Sequence, residues 1–237
     1  MCGRYYDNHE EFWPTLFAFV YGENWRQKLQ QETERLTPRW NIAPSQKARI
    51  FRHQGGEVEL AEHHWGLLPV WAKDRKFAYR TFNARSETAH EKPSFRAAFK
   101  KRRCLVPAAG YYEWQKTGPK SKQAYAIELT GDRPMLFYGL WESWPGPKGD
   151  PLEEPLETFT ILTTSANEAT SMIHDRMPCI CAVESDAATW LDVGFQDREH
   201  LRSLLSPYPA EEIAATAVSD YVNNAKHEGP KCLEPIE

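Results

Sequence analysis

No run of apolar residues in this 237-residue chain approaches the ~18–20 that a bilayer-spanning helix requires, so no membrane partner is expected. The N-terminus also lacks a basic stretch followed by an apolar core, the mark of an export signal, and the expected location is the cytoplasm. Cysteine is sparse and odd in number: Cys2, Cys104, Cys179, Cys181 and Cys232. Without an export signal these read as free thiols rather than a disulfide framework. Cys179-Ile180-Cys181 lacks the C-x-x-C spacing of a zinc ribbon and reads instead as part of a buried strand. His63 and His64 are adjacent and cannot share one face of a strand, so no metal site and no cofactor are expected. Repeats and low-complexity tracts are missing, and a net charge of −4 excludes a uniformly basic coat.

What is present can bury a core: 41% of residues are hydrophobic and 13% aromatic, which excludes disorder as the main state. The length fits one domain over residues 1–237. Residues 8–20 predict an early helix punctuated near its start by Pro14, and 37–46 an extended segment between prolines. Alternation around Val58, Leu60 and Trp65 predicts a strand, and a helix is expected from an N-cap at Ser94 into Lys100–Arg103. Strand-like runs follow at 104–107, 111–114, 125–129, 136–141 and 159–163, with a hairpin turn at Lys116–Lys120. Residues 145–157 read as a polar loop. Helical patterns return at 185–193 and 197–205, each opened by a capping residue. The expected class is α+β, with a mostly antiparallel, barrel-like sheet core and peripheral helices.

Four positions carry chemistry. Cys2 follows the initiator Met1, which is normally removed before so small a residue. Removal leaves a 1,2-aminothiol, able to act as an N-terminal nucleophile or to trap an aldehyde as a thiazolidine. Gly3 allows close approach, and Arg4 adds a cation beside it. Asn83 and Arg85 alternate in an extended segment and project to one side. From the residues alone, Asn83 reads as a turn or cap residue and Arg85 as a solvated surface charge. Glu113, within Gly110-Tyr111-Tyr112-Glu113-Trp114, is flanked by aromatic rings that would raise its pKa, as suits a general acid, or is a plain edge-strand Glu. His174, in His174-Asp175-Arg176-Met177-Pro178, is a proton shuttle or a structural loop histidine.

These pieces join in a recognisable order: Cys2-Gly3-Arg4, Asn41-Ile42-Ala43-Pro44, Trp65-Gly66-Leu67 with Pro69 and Trp71, Asn83-Ala84-Arg85-Ser86-Glu87, Cys104–Pro107 through Tyr112-Glu113-Trp114, His174–Pro178, and Val222-Asn223-Asn224. The chain resembles, over essentially its whole length, the SOS-response-associated peptidase (SRAP) family, which includes abasic-site shield proteins. The resemblance implies a monomer that binds abasic sites in single-stranded DNA, on the nucleoid when bound, and crosslinks to them through Cys2. It implies that Asn83 holds the N-terminus and sugar, that Glu113 assists ring opening, and that His174 handles protons at the Schiff-base stage. Arg4, Arg85 and Arg176 would grip phosphates, Trp71 would stack on or wedge between bases, and Trp114 belongs with these DNA-contacting residues. Self-cleavage at Met1 is a further activity the resemblance implies.

Two other readings compete. Met-Cys-Gly also opens N-terminal-nucleophile glutamine amidohydrolases, but neither their Arg-Gly-Pro-Asp-type loop nor an Asn-Gly oxyanion segment is found here. A non-covalent single-strand binding module would rely on stacking and cations alone. Charge is divided by segment: residues 71–122 hold fourteen Lys and Arg against four Asp and Glu, while the rest holds fifteen against twenty-nine. That local excess coincides with Trp71, Asn83, Arg85 and Glu113, the footprint expected of a DNA groove.

Overall fold

Residues 2–8, 10–131 and 133–236 are described in a computed structural model. Its strands are β1 (Tyr5–Tyr6), β2 (Lys47–Gln54), β3 (Glu57–Trp65), β4 (Asn83–Arg85), β5 (Arg103–Ala108), β6 (Gly110–Lys116), β7 (Lys122–Leu129), β8 (Met135–Trp144), β9 (Leu156–Ser165), β10 (Arg176–Pro178) and β11 (Ile213–Val218). Helices are short: α1 (Phe12–Tyr21), α2 (Trp25–Glu32), α3 (Ser86–Ala89), α4 (Arg96–Lys101), α5 (Glu184–Leu191) and α6 (Arg198–Ser203). Strands β3-β2-β5-β8 run antiparallel, β9 joins β8, and β9 then pairs in parallel with β3, closing a five-stranded barrel. β4 and β10 extend the sheet along β9, and a four-stranded sheet, β1-β6-β7-β11, packs beside the barrel. The α+β, largely antiparallel, barrel-like class expected from sequence is the class found.

Period-two alternation builds two cores from the same strands. Ile50, Cys104, Val106, Phe137 and Ile161 share one cluster with Cys2, Tyr5, Trp65 and Tyr111. Their neighbours Phe51, Leu105, Tyr138 and Leu162 pack on the other side against Trp13, Phe17, Trp190 and Leu201 of the helices. Cys179 and Cys181 are buried in this second cluster as small apolar residues.

Two local expectations are corrected. The helix near residue 94 begins at Arg96; Lys92 O accepts from both Phe95 N and Arg96 N, so Phe95 and not Ser94 stands at the cap, without a side-chain cap bond. Of the last two helices only α6 is capped by a side chain, Asp197 accepting from Glu199 N and His200 N; α5 is preceded by Val183. The basic run 100–103 is not wholly solvated. Arg102 bonds Glu142 at 2.5 Å, and Arg103 is fully buried, donating to the carbonyls of Phe99, Lys100, Trp190, Asp192 and Phe195. A guanidinium has five donors and here closes the open carbonyl ends of α4 and α5.

Among the described residues, no helix is long and apolar enough to cross a membrane.

Candidate functional site

Two elements bring Cys2 into the molecule. β1 lies antiparallel to β6, with Tyr112 N donating to Arg4 O at 2.9 Å, and Tyr5 exchanges hydrogen bonds of 2.8 and 3.1 Å with Ile42. Opposite stands β4, whose Asn83 donates its amide N–H to Cys2 O at 2.6 Å. Asn83 Oδ1 is buried and, among the described residues, has no hydrogen-bond partner, an acceptor beside the N-terminal strand. The Cys2 side chain is fully buried; burial, and secondarily the charge of Glu113, pushes its thiol far up, so it is held neutral. Met1, whose removal the sequence predicts, lies outside the described residues.

Glu113 shares a face of β6 with Tyr111, which packs in the Cys2 cluster. It is only 4% exposed, and one carboxylate oxygen accepts from Trp114 N at 3.2 Å. Burial raises its pKa, partly countered by His174. His174 Nδ1 accepts from Arg176 N at 3.0 Å and lies 2.8 Å from Asp175 Oδ1. While Nδ1 accepts from Arg176 N, the ring proton belongs on Nε2.

The three arginines differ. Arg85 is exposed at the end of β4. Arg4 donates to Asn41 Oδ1 at 2.7 Å and Val222 O at 2.8 Å, with its guanidinium 5.6 Å from the Trp114 ring centroid. Arg176, assigned to phosphates in the sequence reading, makes a bidentate pair with Glu87 at 2.5 and 2.9 Å and also donates to Thr163 O; its guanidinium is largely withdrawn from solvent. The Arg fork matches a carboxylate as well as it does a phosphate, and Glu87 supplies one.

Trp71 is 51% exposed, its ring edge-on to Phe77, in a cleft with Lys73, Lys76 and Arg80. The segment carrying it is pinned at both ends. Gly66 adopts φ +131° with Ala78 only 2.8 Å from where a Cβ would stand, Leu67 O accepts from Thr81 Oγ1 at 2.7 Å, and Ala72 O accepts from Trp144 Nε1 at 3.0 Å. Trp114 is held differently, donating Nε1–H to Asn223 Oδ1 at 2.6 Å.

Asn41, to which the sequence reading gave no role, is the hub of this wall. It is fully buried; besides accepting from Arg4, its amide nitrogen lies 3.0–3.3 Å from the carbonyls of Val222, Asn224 and His227. The only cue in the sequence was its place in Asn41-Ile42-Ala43-Pro44.

The model of the SOS response associated peptidase (SRAP) family matches residues 1–225, and the chain belongs to that family. It is 42% identical over 197 residues to the abasic site processing protein YoqW of Bacillus subtilis, covering 83% of this chain and 86% of the relative. It is 34% identical to the abasic site processing protein HMCES of Gallus gallus, covering 90% and 72%. Among solved structures, a protein from Bacteroides thetaiotaomicron shares the fold with TM-score 0.77 at 24% identity over 98% of this chain and all of the other. A phage-related protein from Bordetella bronchiseptica gives TM-score 0.66 at 27% identity over 92% and 94%.

Proposed function

We propose that this protein processes abasic sites in single-stranded DNA by closing on them covalently through Cys2, once Met1 has been removed. An abasic deoxyribose is mainly a closed hemiacetal, so ring opening must precede attack. Glu113, whose burial favours the protonated form, gives its proton to the ring oxygen and, as the C1–O bond breaks, takes back the proton of the C1 hydroxyl, so that the sugar opens to its C1 aldehyde. The α-amine of Cys2 adds to C1 and water leaves, forming a Schiff base, with His174 carrying protons to and from the departing oxygen. The thiol then adds to the imine carbon and its proton passes to the nitrogen, giving a thiazolidine; aldehyde and aminothiol have combined with loss of one water. A Schiff base alone would hydrolyse, and thiol closure removes that carbon from attack.

The observation that carries this reading is the 2.6 Å hydrogen bond from Asn83 to the Cys2 carbonyl, which holds the reacting residue beside the buried Glu113. Asn83 Oδ1 supplies an acceptor for the amine or a sugar hydroxyl. The names of the curated relatives support the substrate class. Arg85 and Arg4 supply phosphate contacts and Trp71 a stacking face. Cleavage of the Met1–Cys2 bond by the same groups is the proposed peptidase activity.

The test is denaturing electrophoresis of processed protein with an abasic oligonucleotide. A shifted, heat-stable band that is lost in Cys2→Ala is expected. No band with wild type refutes the reading, and a persistent band in Cys2→Ala places the nucleophile elsewhere.

A further inference from the structure

A groove of about 680 Å³ runs along the outer end of the β6–β7 hairpin, lined by Arg4, Trp114, Lys116, Lys120, Lys122 and Asp220 among others. Lys116 and Lys122 stand directly opposite each other in the antiparallel register, the last pair before the turn that carries Lys120. Like charges at opposed positions destabilise a hairpin. Among the described residues, no ion pair engages any of the three lysines. Four cations therefore face one lining carboxylate, Asp220, and nothing in the fold requires that excess.

The groove is also poor in free aromatic surface. Arg4 lies over Trp114, and the indole N–H is taken by Asn223. The Trp71 cleft offers the opposite, an exposed indole beside its cations. Cys2 is tied to β4 through Asn83 and to the groove through Arg4, two residues along the chain.

We propose that the hairpin groove is a phosphate track: it carries the DNA backbone leaving the Cys2 site on the Arg4 side, gripping it by charge without reading or stacking bases. This rests on the reading that DNA is bound at Cys2. An anion between Lys116 and Lys122 also removes the repulsion that the hairpin bears when empty.

The probe is a single-stranded oligonucleotide carrying a central tetrahydrofuran, an abasic analogue without an aldehyde, so that only non-covalent affinity is read. The triple variant Lys116→Ala, Lys120→Ala, Lys122→Ala should melt no lower than wild type, since it relieves like-charge contact. Its plot of log affinity against log salt should be shallower by about 2, at roughly 0.7 per single-strand phosphate contact. The difference should persist with an oligonucleotide having nucleotides on only one side of the analogue and vanish with its mirror counterpart. An unchanged slope overturns the inference. So does an equal difference with both one-sided oligonucleotides, which would mean a diffuse field and no track. Failure of the crosslinking reading shows separately: wild type would bind the analogue with its lysine-dependent slope yet form no adduct with a true abasic oligonucleotide.

Discussion

Replacing Asn83 with Ala removes a single short hydrogen bond, 2.6 Å from the amide to the Cys2 carbonyl, together with a buried acceptor that has no partner among the described residues. A net neutral hydrogen bond contributes about 0.5–1.5 kcal/mol, and a buried carbonyl left without its donor costs about 1–3 kcal/mol. If that loss falls on the positioning of Cys2, with ~1.4 kcal/mol per decade of rate, crosslinking should slow by about 10-fold to 100-fold. Arg85, Trp71 and Arg4 are untouched, so affinity for the tetrahydrofuran oligonucleotide should stay within about 3-fold. The assay is single-turnover adduct formation at saturating abasic DNA, quenched in denaturant, with a thermal melt as the folding control. A rate equal to wild type refutes the claim that Asn83 positions the nucleophile. A loss confined to affinity would make it a DNA contact only.

Burial raises the Glu113 pKa, so its ionisation opposes folding: that cost is absent below the ordinary carboxyl pKa and grows as pH rises through the raised one. Glu113→Gln should therefore melt above wild type at pH 8, with the gap closing toward pH 4. It should also slow crosslinking and remove the fall in rate at rising pH that titration of the acid imposes. Arg85→Ala should flatten the salt dependence of single-strand affinity by about 0.7, the loss of one phosphate contact. Asn41→Asp keeps an acceptor for Arg4 but sets a carboxylate against the carbonyls of Val222, Asn224 and His227. Hydrogen exchange at residues 220–229 should quicken. Arg103→Met strands carbonyls at two helix ends and should cost about 3 kcal/mol, near 10 °C at roughly 2–4 °C per kcal/mol. Exposed Lys101→Ala should stay within about 0.5 kcal/mol.

The strands at 104–107, 136–141 and 159–163 were readable because their apolar and β-branched residues are buried on both faces, one set beneath helices and the other among barrel strands. β2 escaped for the converse reason. Its Lys-Ala-Arg-Ile-Phe-Arg-His-Gln looks like a solvated segment, yet Arg49 and Arg52 are buried against Asp7 and Glu157, partners distant in sequence. Arg103 hides in the same way inside a basic run. At the site, Cys2 and Glu113 could be picked out because their residue types are chemically unusual where they stand, whereas Asn83 was singled out only by the family resemblance. The withdrawal of Arg176 onto Glu87 depends on β4 and β10 both pairing with β9, and Asn41 acquires its role from a segment some 180 residues later. No local pattern encodes either. The split of charge along the chain held up in part: Arg102 and Arg103 are consumed internally, while the Trp71 cleft and the lysine hairpin keep their cations at the surface.

Intact mass measurement of the protein after incubation with an abasic oligonucleotide tests the central claim most directly. The mass should equal protein lacking Met1 plus oligonucleotide minus one water, at one adduct per chain, stable without reducing agent. Cys2→Ser should give an adduct only when borohydride traps the Schiff base. An unmodified wild-type mass, or a stable adduct of equal yield in Cys2→Ser, would contradict thiazolidine closure at Cys2.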